Sequence, residues 1–246
     1  MRTQKMRLVS ALLAIAMLFA LVPVGAFAAS GQEETLYTDG DYQFELVTDE
    51  NGETTATIRK YTGSNTSITI PATVSKDGVK YAVTAIKGSD KGYQNYVNRS
   101  INADLVSVTI PSSIKNIGED AFVECNSLEE VKFTENSALE RIGMVAFCGC
   151  EKLKNIELPE GLKTIGAGAF AECESFSKIV LPSTVTTLER EAFEGCKNLQ
   201  EIELSEDLET IEMAAFVDCA LTSITIPKNV KKNWSRGFWD GVGCII

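Results

Sequence analysis

The chain has no histidine among its 246 residues. Ser–His and Cys–His nucleophiles, in which an imidazole takes the proton, are therefore excluded. The commonest zinc ligand is missing too, and no C-x-x-C pair offers a thiolate alternative. The phosphate-cradling patterns G-x-x-x-x-G-K-[ST] and G-x-G-x-x-G do not occur, nor does the D-x-[DN]-x-[DN]-G calcium loop. Tyr61-Thr62-Gly63-Ser64 is too slight for a phosphate loop. Positive charge is scarce: 23 Lys and Arg stand against 34 Asp and Glu, a formal charge of −11. Such a surface repels nucleic acid and anionic lipid, so neither is expected as a partner. After residue 28 no apolar run is long enough for a membrane span, and no insertion is expected of the processed chain. A 44% hydrophobic content is nevertheless too high for a disordered polymer, so the chain should fold as one domain or one short repeat array.

Residues 1–28 read as a signal peptide. Arg2, Lys5 and Arg7 precede an apolar run from Leu8 to Val22, Pro23 ends the run, and Ala26-Phe27-Ala28 supplies a small-x-small cleavage site. Cleavage near Ala28 would release a protein that is secreted or held at the extracellular cell surface. No Cys follows the apolar run, so a lipidated N-terminus is not expected.

The rest is dominated by repetition. Ala-Phe recurs at Ala121-Phe122, Ala146-Phe147, Ala169-Phe170, Ala192-Phe193 and Ala215-Phe216. Three residues after each Phe stands a cysteine: Cys125, Cys150, Cys173, Cys196 and Cys219. At a fixed offset before each Ala-Phe is Ile117, Ile142, Ile165, Leu188 or Ile211. An L-x-x-[VI]-x-[LIF] type of run follows each cysteine, at Leu128–Phe133, Leu153–Leu158, Phe176–Leu181, Leu199–Leu204 and Leu221–Ile226, with Leu105–Ile110 ahead of them. Pro111, Pro159, Pro182 and Pro227 close four of these six runs. A unit of about 23 residues cannot bury its own apolar side, whereas stacked units turn each column of equivalent residues into a continuous core. The alternation Ile156-x-Leu158 suits a short strand with one face inward, and successive rungs about 4.8 Å apart would pair as a parallel sheet. Proline cannot donate to a ladder and so ends the pairing.

The combination L-x-x-I-x-L-P followed by I-x-x-x-A-F-x-x-C resembles the BspA-type leucine-rich repeats of bacterial surface proteins, over about residues 67–226. The resemblance implies a curved solenoid with a parallel sheet on its concave side, and roles in adhesion to host proteins or to other cells. The expected fold is thus an α/β-type repeat solenoid, mostly β, with an N-terminal β-hairpin cap.

Both ends depart from the repeat. Within residues 29–66, a linker and cap, Tyr42, Phe44 and Leu46 alternate before Asp49-Glu50-Asn51-Gly52, and Ala56 and Ile58 follow. This reads as a hairpin with an Asn-Gly turn, closing an end that would otherwise expose core and unpaired strand. The first repeat carries an insertion at 87–104, rich in Gly, Asn and Tyr, in which Tyr93 and Tyr96 are candidate contact residues. Residues 227–246 form a partial repeat or cap containing Trp234, Phe238 and Trp239.

Seven cysteines in a secreted chain invite disulfides, but stacked equivalents about 4.8 Å apart exceed the usual Cβ separation of about 3.8 Å. A column of buried thiols acting as small hydrophobes fits better. Cys148 lies outside the column and is a candidate exposed, reactive thiol. No catalytic, cofactor or metal residues are assigned, and no enzyme activity is expected. By period-2 logic the solvent face of the runs presents Ser107, Thr109, Glu130, Lys132, Asn155, Glu157, Lys178, Val180, Glu201, Glu203, Ser223 and Thr225. That face is the expected contact surface for a partner protein, an extracellular or cell-surface protein of a host or a neighbouring cell, with the chain itself a monomer. The alternatives are an envelope scaffold without a specific ligand and, more distantly, the non-catalytic part of a longer enzyme.

Overall fold

A computed structural model describes residues 35–88, 100–231 and 243–245. Residues 1–28, expected as a signal peptide, Tyr93 and Tyr96 of the expected insertion, and Trp234, Phe238 and Trp239 lie outside the described residues. The described part is a mostly β solenoid, and its secondary structure consists of strands and turns without a helix.

The N-terminal strands are β1 (Tyr37–Asp39), β2 (Tyr42–Thr48) and β3 (Thr54–Tyr61), an antiparallel meander. The β2–β3 turn differs from a two-residue Asn-Gly turn. Asp49 N–H donates to Glu53 O at 2.9 Å, Gly52 N–H donates to Asp49 O at 3.1 Å, and of these residues only Gly52 is left-handed, at φ 84°. This is the three-residue loop with a terminal glycine, and the Asp49 carboxylate fastens it by accepting from Asn51 and Glu53 N–H at 2.9 Å each. Next come β4 (Ser67–Thr69), β5 (Thr73–Lys76) and β6 (Val79–Ile86). β5 and β6 form a second hairpin around Asp77-Gly78, left-handed at φ 52° and 79°, the geometry a two-residue turn needs.

From here the chain alternates between two kinds of strand. The L-x-x-I-x-L runs give β7 (Ser107–Ile110), β9 (Glu130–Phe133), β11 (Asn155–Ile156), β13 (Lys178–Val180), β15 (Glu201–Glu203) and β17 (Ser223–Thr225). Between them lie the two-residue strands β8 (Asn116–Ile117), β10 (Arg141–Ile142), β12 (Thr164–Ile165), β14 (Thr187–Leu188) and β16 (Thr210–Ile211), and β18 (Gly243–Ile245) pairs with β17. The two series build different sheets. The short strands continue the hairpin as one ladder, β1-β2-β3-β6-β8-β10-β12-β14-β16. The longer runs split into β4-β7-β9-β11, β13-β15 and β17-β18. All inter-rung pairs are parallel.

Three columns fill the core. Phe122, Phe147, Phe170, Phe193 and Phe216 are buried and stack with ring centroids 5.0, 5.3, 5.4 and 5.8 Å apart and planes within 11° of parallel. The Ile117, Ile142, Ile165, Leu188 and Ile211 column is likewise buried. The third column is the cysteines, free thiols whose packing has a polar component. Cys150, Cys173, Cys196 and Cys219 each donate S–H to the carbonyl of the Phe one rung earlier, at 3.2, 3.2, 3.1 and 3.1 Å. Cys125 bonds instead to Asn102 O at 3.3 Å. The Phe carbonyls also accept the N–H of the Cys of their own rung, as Phe122 O does from Cys125 at 3.2 Å, so the small thiol fills the core and adds a weak second donor to each. Cys148 is half-buried, and burial together with Glu172 and Glu124 pushes its thiol up to about 12. It is therefore not the exposed reactive thiol its position beside Cys150 suggests, because a thiolate there would face carboxylates.

Candidate functional site

The face expected from the L-x-x-I-x-L runs is present, in sections. Register places Ser107 beside Glu130 and Glu130 beside Asn155, with Thr109 beside Lys132. Farther along, Lys178 pairs with Glu201 and Val180 with Glu203. Ser107 and Thr109 are half-buried, and Glu130, Lys132, Asn155, Glu157, Lys178, Val180, Glu201, Glu203, Ser223 and Thr225 are exposed. β11 stops at Ile156, so Glu157 stands just beyond its strand. No ladder joins β11 to β13 or β15 to β17. At the second gap the repeat is one residue shorter, Cys219 to Leu221 against Cys196 to Leu199.

The charges on this face are already partly engaged. Lys132 pairs with Glu130 at 2.9 Å. Lys178 lies 3.4 Å from Glu201 and 2.6 Å from Glu203, and both carboxylates raise its pKa. All of these side chains are well exposed, so the pairs orient one another more than they stabilise the fold.

A second face, on the short strands, escaped the sequence reading. Its outward residues are Asn116, Arg141, Thr164, Thr187 and Thr210, flanked by the column Lys115, Glu140, Lys163, Thr186 and Glu209. A two-residue strand is too short to show alternation, and the only signal was the repeated residue preceding each core Ile or Leu. Beside it runs Gly118, Gly143 and Gly166, where rungs approach so closely that a Cβ on Gly166 would lie 2.7 Å from the Gly143 carbonyl carbon. Where the repeat changes to Glu189 and Glu212, the carboxylates cap backbone N–H groups of the preceding rung, Ala167 and Arg190, at 3.0 Å each. Arg141 spans two rungs over the glycines to reach Glu189 at 2.8 Å.

The turns after Ala-Phe carry a third feature, an acidic ridge. Glu172, Glu174, Glu194 and Asp218 line an open depression with Gly195, Lys197 and Cys219. Burial first, then neighbouring carboxylates, raise the pKa of Glu124 and Glu194. Among the described residues no group of three His, Cys, Asp or Glu is placed to hold a metal ion, and no helix is long and apolar enough to cross a membrane.

Two overlapping matches to the BspA type leucine rich repeat region, six copies in all, cover residues 100–138 and 134–241. A leucine rich cell surface protein from Faecalibacterium prausnitzii is 35% identical with a TM-score of 0.65, over 80% of this chain and 49% of that one. A leucine-rich repeat protein from Bacteroides ovatus is 31% identical with a TM-score of 0.63, over 79% of this chain and 48% of that one. The leucine rich repeat protein of T. pallidum is 25% identical with a TM-score of 0.61, over 75% and 79%. The chain thus spans about half the length of the first two. No curated protein matches it in sequence. With the repeat matched over more than half of its length, the chain belongs to the BspA type leucine rich repeat family, a class of repeat proteins that is generally non-catalytic.

Proposed function

We propose that the chain is a non-enzymatic protein-binding module, exported through residues 1–28 and acting in adhesion outside the cell. It would bind a host or neighbouring-cell protein through the exposed face of the L-x-x-I-x-L runs. The observation that carries this reading is the face itself: six successive rungs present one row of side chains, half-buried at Ser107 and Thr109 and exposed from Glu130 to Thr225. A row of varied residues on a repeated core is the arrangement by which repeat proteins present a contact surface. The similarity to a cell surface protein of Faecalibacterium prausnitzii supports the location.

The test is binding of the purified chain to extracellular-matrix proteins and whole cells, read by biolayer interferometry. We expect saturable binding that is lost when Glu157, Glu201 and Glu203 are all replaced by Lys. An unchanged dissociation constant in that variant would reject this face, and no saturable binding at all would favour a scaffold role.

A further inference from the structure

Resting on the binding face assigned above, we infer that its centre takes an extended basic segment of the partner, with a Lys or Arg side chain laid over Val180. Val180 is the only aliphatic residue among the twelve strand-face positions, and it is 48% exposed. Glu203 is its register partner on β15, and Glu157 occupies the equivalent position one repeat earlier. In repeat order, Glu157, Val180 and Glu203 thus put an aliphatic position between two carboxylates. A long basic side chain is built the same way, with an aliphatic stem and a charged head.

Charge points in the same direction. Glu201 and Glu203 share the single Lys178, which leaves a net negative charge on that cluster. Glu157 makes no ion pair shown among the described residues, so its carboxylate is open to a new partner. The Lys178 pairs are solvent-exposed and weak, so a guanidinium able to bind a carboxylate through two parallel N–H bonds can replace them. Spacing also suits an extended ligand. Glu201 and Glu203 alternate along one strand at about 6.6–7 Å, the repeat of alternate side chains in an extended partner. The acidic ridge on the turns offers charge without such an apolar centre, which makes it the control.

The probe is a fluorescein-labelled octapeptide alternating Arg and Ser, with a Glu and Ser counterpart, followed by anisotropy against the purified chain at low and at physiological salt. The Arg peptide should bind saturably and the Glu peptide should not. The pair Glu157→Gln with Glu203→Gln should weaken binding by about tenfold, and Val180→Ser by severalfold with no change of charge. The ridge pair Glu172→Gln with Glu194→Gln removes the same charge and should leave affinity within about twofold. Circular dichroism establishes that each variant is folded. Equal weakening by the two Gln pairs would show attraction to net charge alone and overturn the proposal, as would failure of the Arg peptide to bind. If the peptide arm fails while the face variants still lose binding to cells or matrix proteins, the face stands and only its basic ligand falls.

Discussion

Ten backbone positions in the five turns are left-handed, in two columns that flank Ala-Phe: Asp120, Val145, Gly168, Glu191 and Ala214, then Glu124, Gly149, Glu172, Gly195 and Asp218. Only three are glycine. The others accept the conformation because it aims the turn's N–H groups at the next rung: Phe147 N–H reaches Ala169 O at 2.8 Å, and Gly149 N–H reaches Ala171 O at 2.9 Å. Val145, at φ 46°, is the costly case, since a β-branched residue there bears a penalty of about 1–2 kcal/mol. Glycine returns about 0.5–1 kcal/mol of that through the entropy of the unfolded chain. Val145→Gly should therefore stabilise by up to about 1 kcal/mol, seen as a higher urea midpoint. The reverse change, Gly149→Val, combines the same strain with a Cβ 3.1 Å from Glu124 Cδ and should lower the midpoint. If both variants leave it unchanged, the turns are not strained as described.

Among the elements, the aromatic and thiol columns carry the packing. Phe170 lies between Phe147 and Phe193 and also meets Phe176 at 5.7 Å. Phe170→Ala should cost about 3–5 kcal/mol in urea unfolding. The thiols predict a pH dependence. Burial raises Cys125 to about 12 and Cys150 and Cys173 well above their usual value. An acid whose pKa is higher in the folded chain contributes stability that is full below the unfolded pKa, near 9. That contribution is lost as pH rises toward the folded value. Stability should thus decline from about pH 9 to 12, and a Cys125→Ala, Cys150→Ala, Cys173→Ala variant should show a shallower decline by urea titration. Equal slopes would sink this account. These columns were legible in the sequence because stacking demands the same residue at the same offset, as Ala-Phe and Cys show. Partners were not legible. Spacing marks Cys173 as buried but does not say that it donates to Phe147 O, and it cannot link Arg141 to Glu189 across 48 residues. The Asp77-Gly78 hairpin was not legible either, because it lies inside the irregular first repeat, where no column of equivalents marks it.

At the scale of the molecule, the two series of strands bear the load unequally. A repeat array is held by nearest-neighbour interfaces, so its weakest rung contacts set where it opens. The short strands form an unbroken ladder in which Gly143, Gly166, Glu189 and Glu212 N–H each donate to the core residue one rung back, at 2.7, 2.8, 2.9 and 3.0 Å. The face carrying Glu157 and Val180 has no ladder between β11 and β13, or between β15 and β17. The face of the longer runs is therefore the one with fewer backbone constraints. The shorter strands, whose two residues looked least structural, hold the rungs in register. Amide hydrogen exchange tests this division, because backbone groups without a ladder partner open at lower free energy. Amides of Gly143, Gly166 and Glu189 should exchange only at the rate of global unfolding. Those of Asn155, Ile156, Lys178 and Ile179, beside the first gap and laddered on one side only, should exchange at least tenfold faster, by order of magnitude. Equal protection on the two sides would mean that the side-chain columns alone fix the rungs, and that the continuous ladder adds no rigidity of its own.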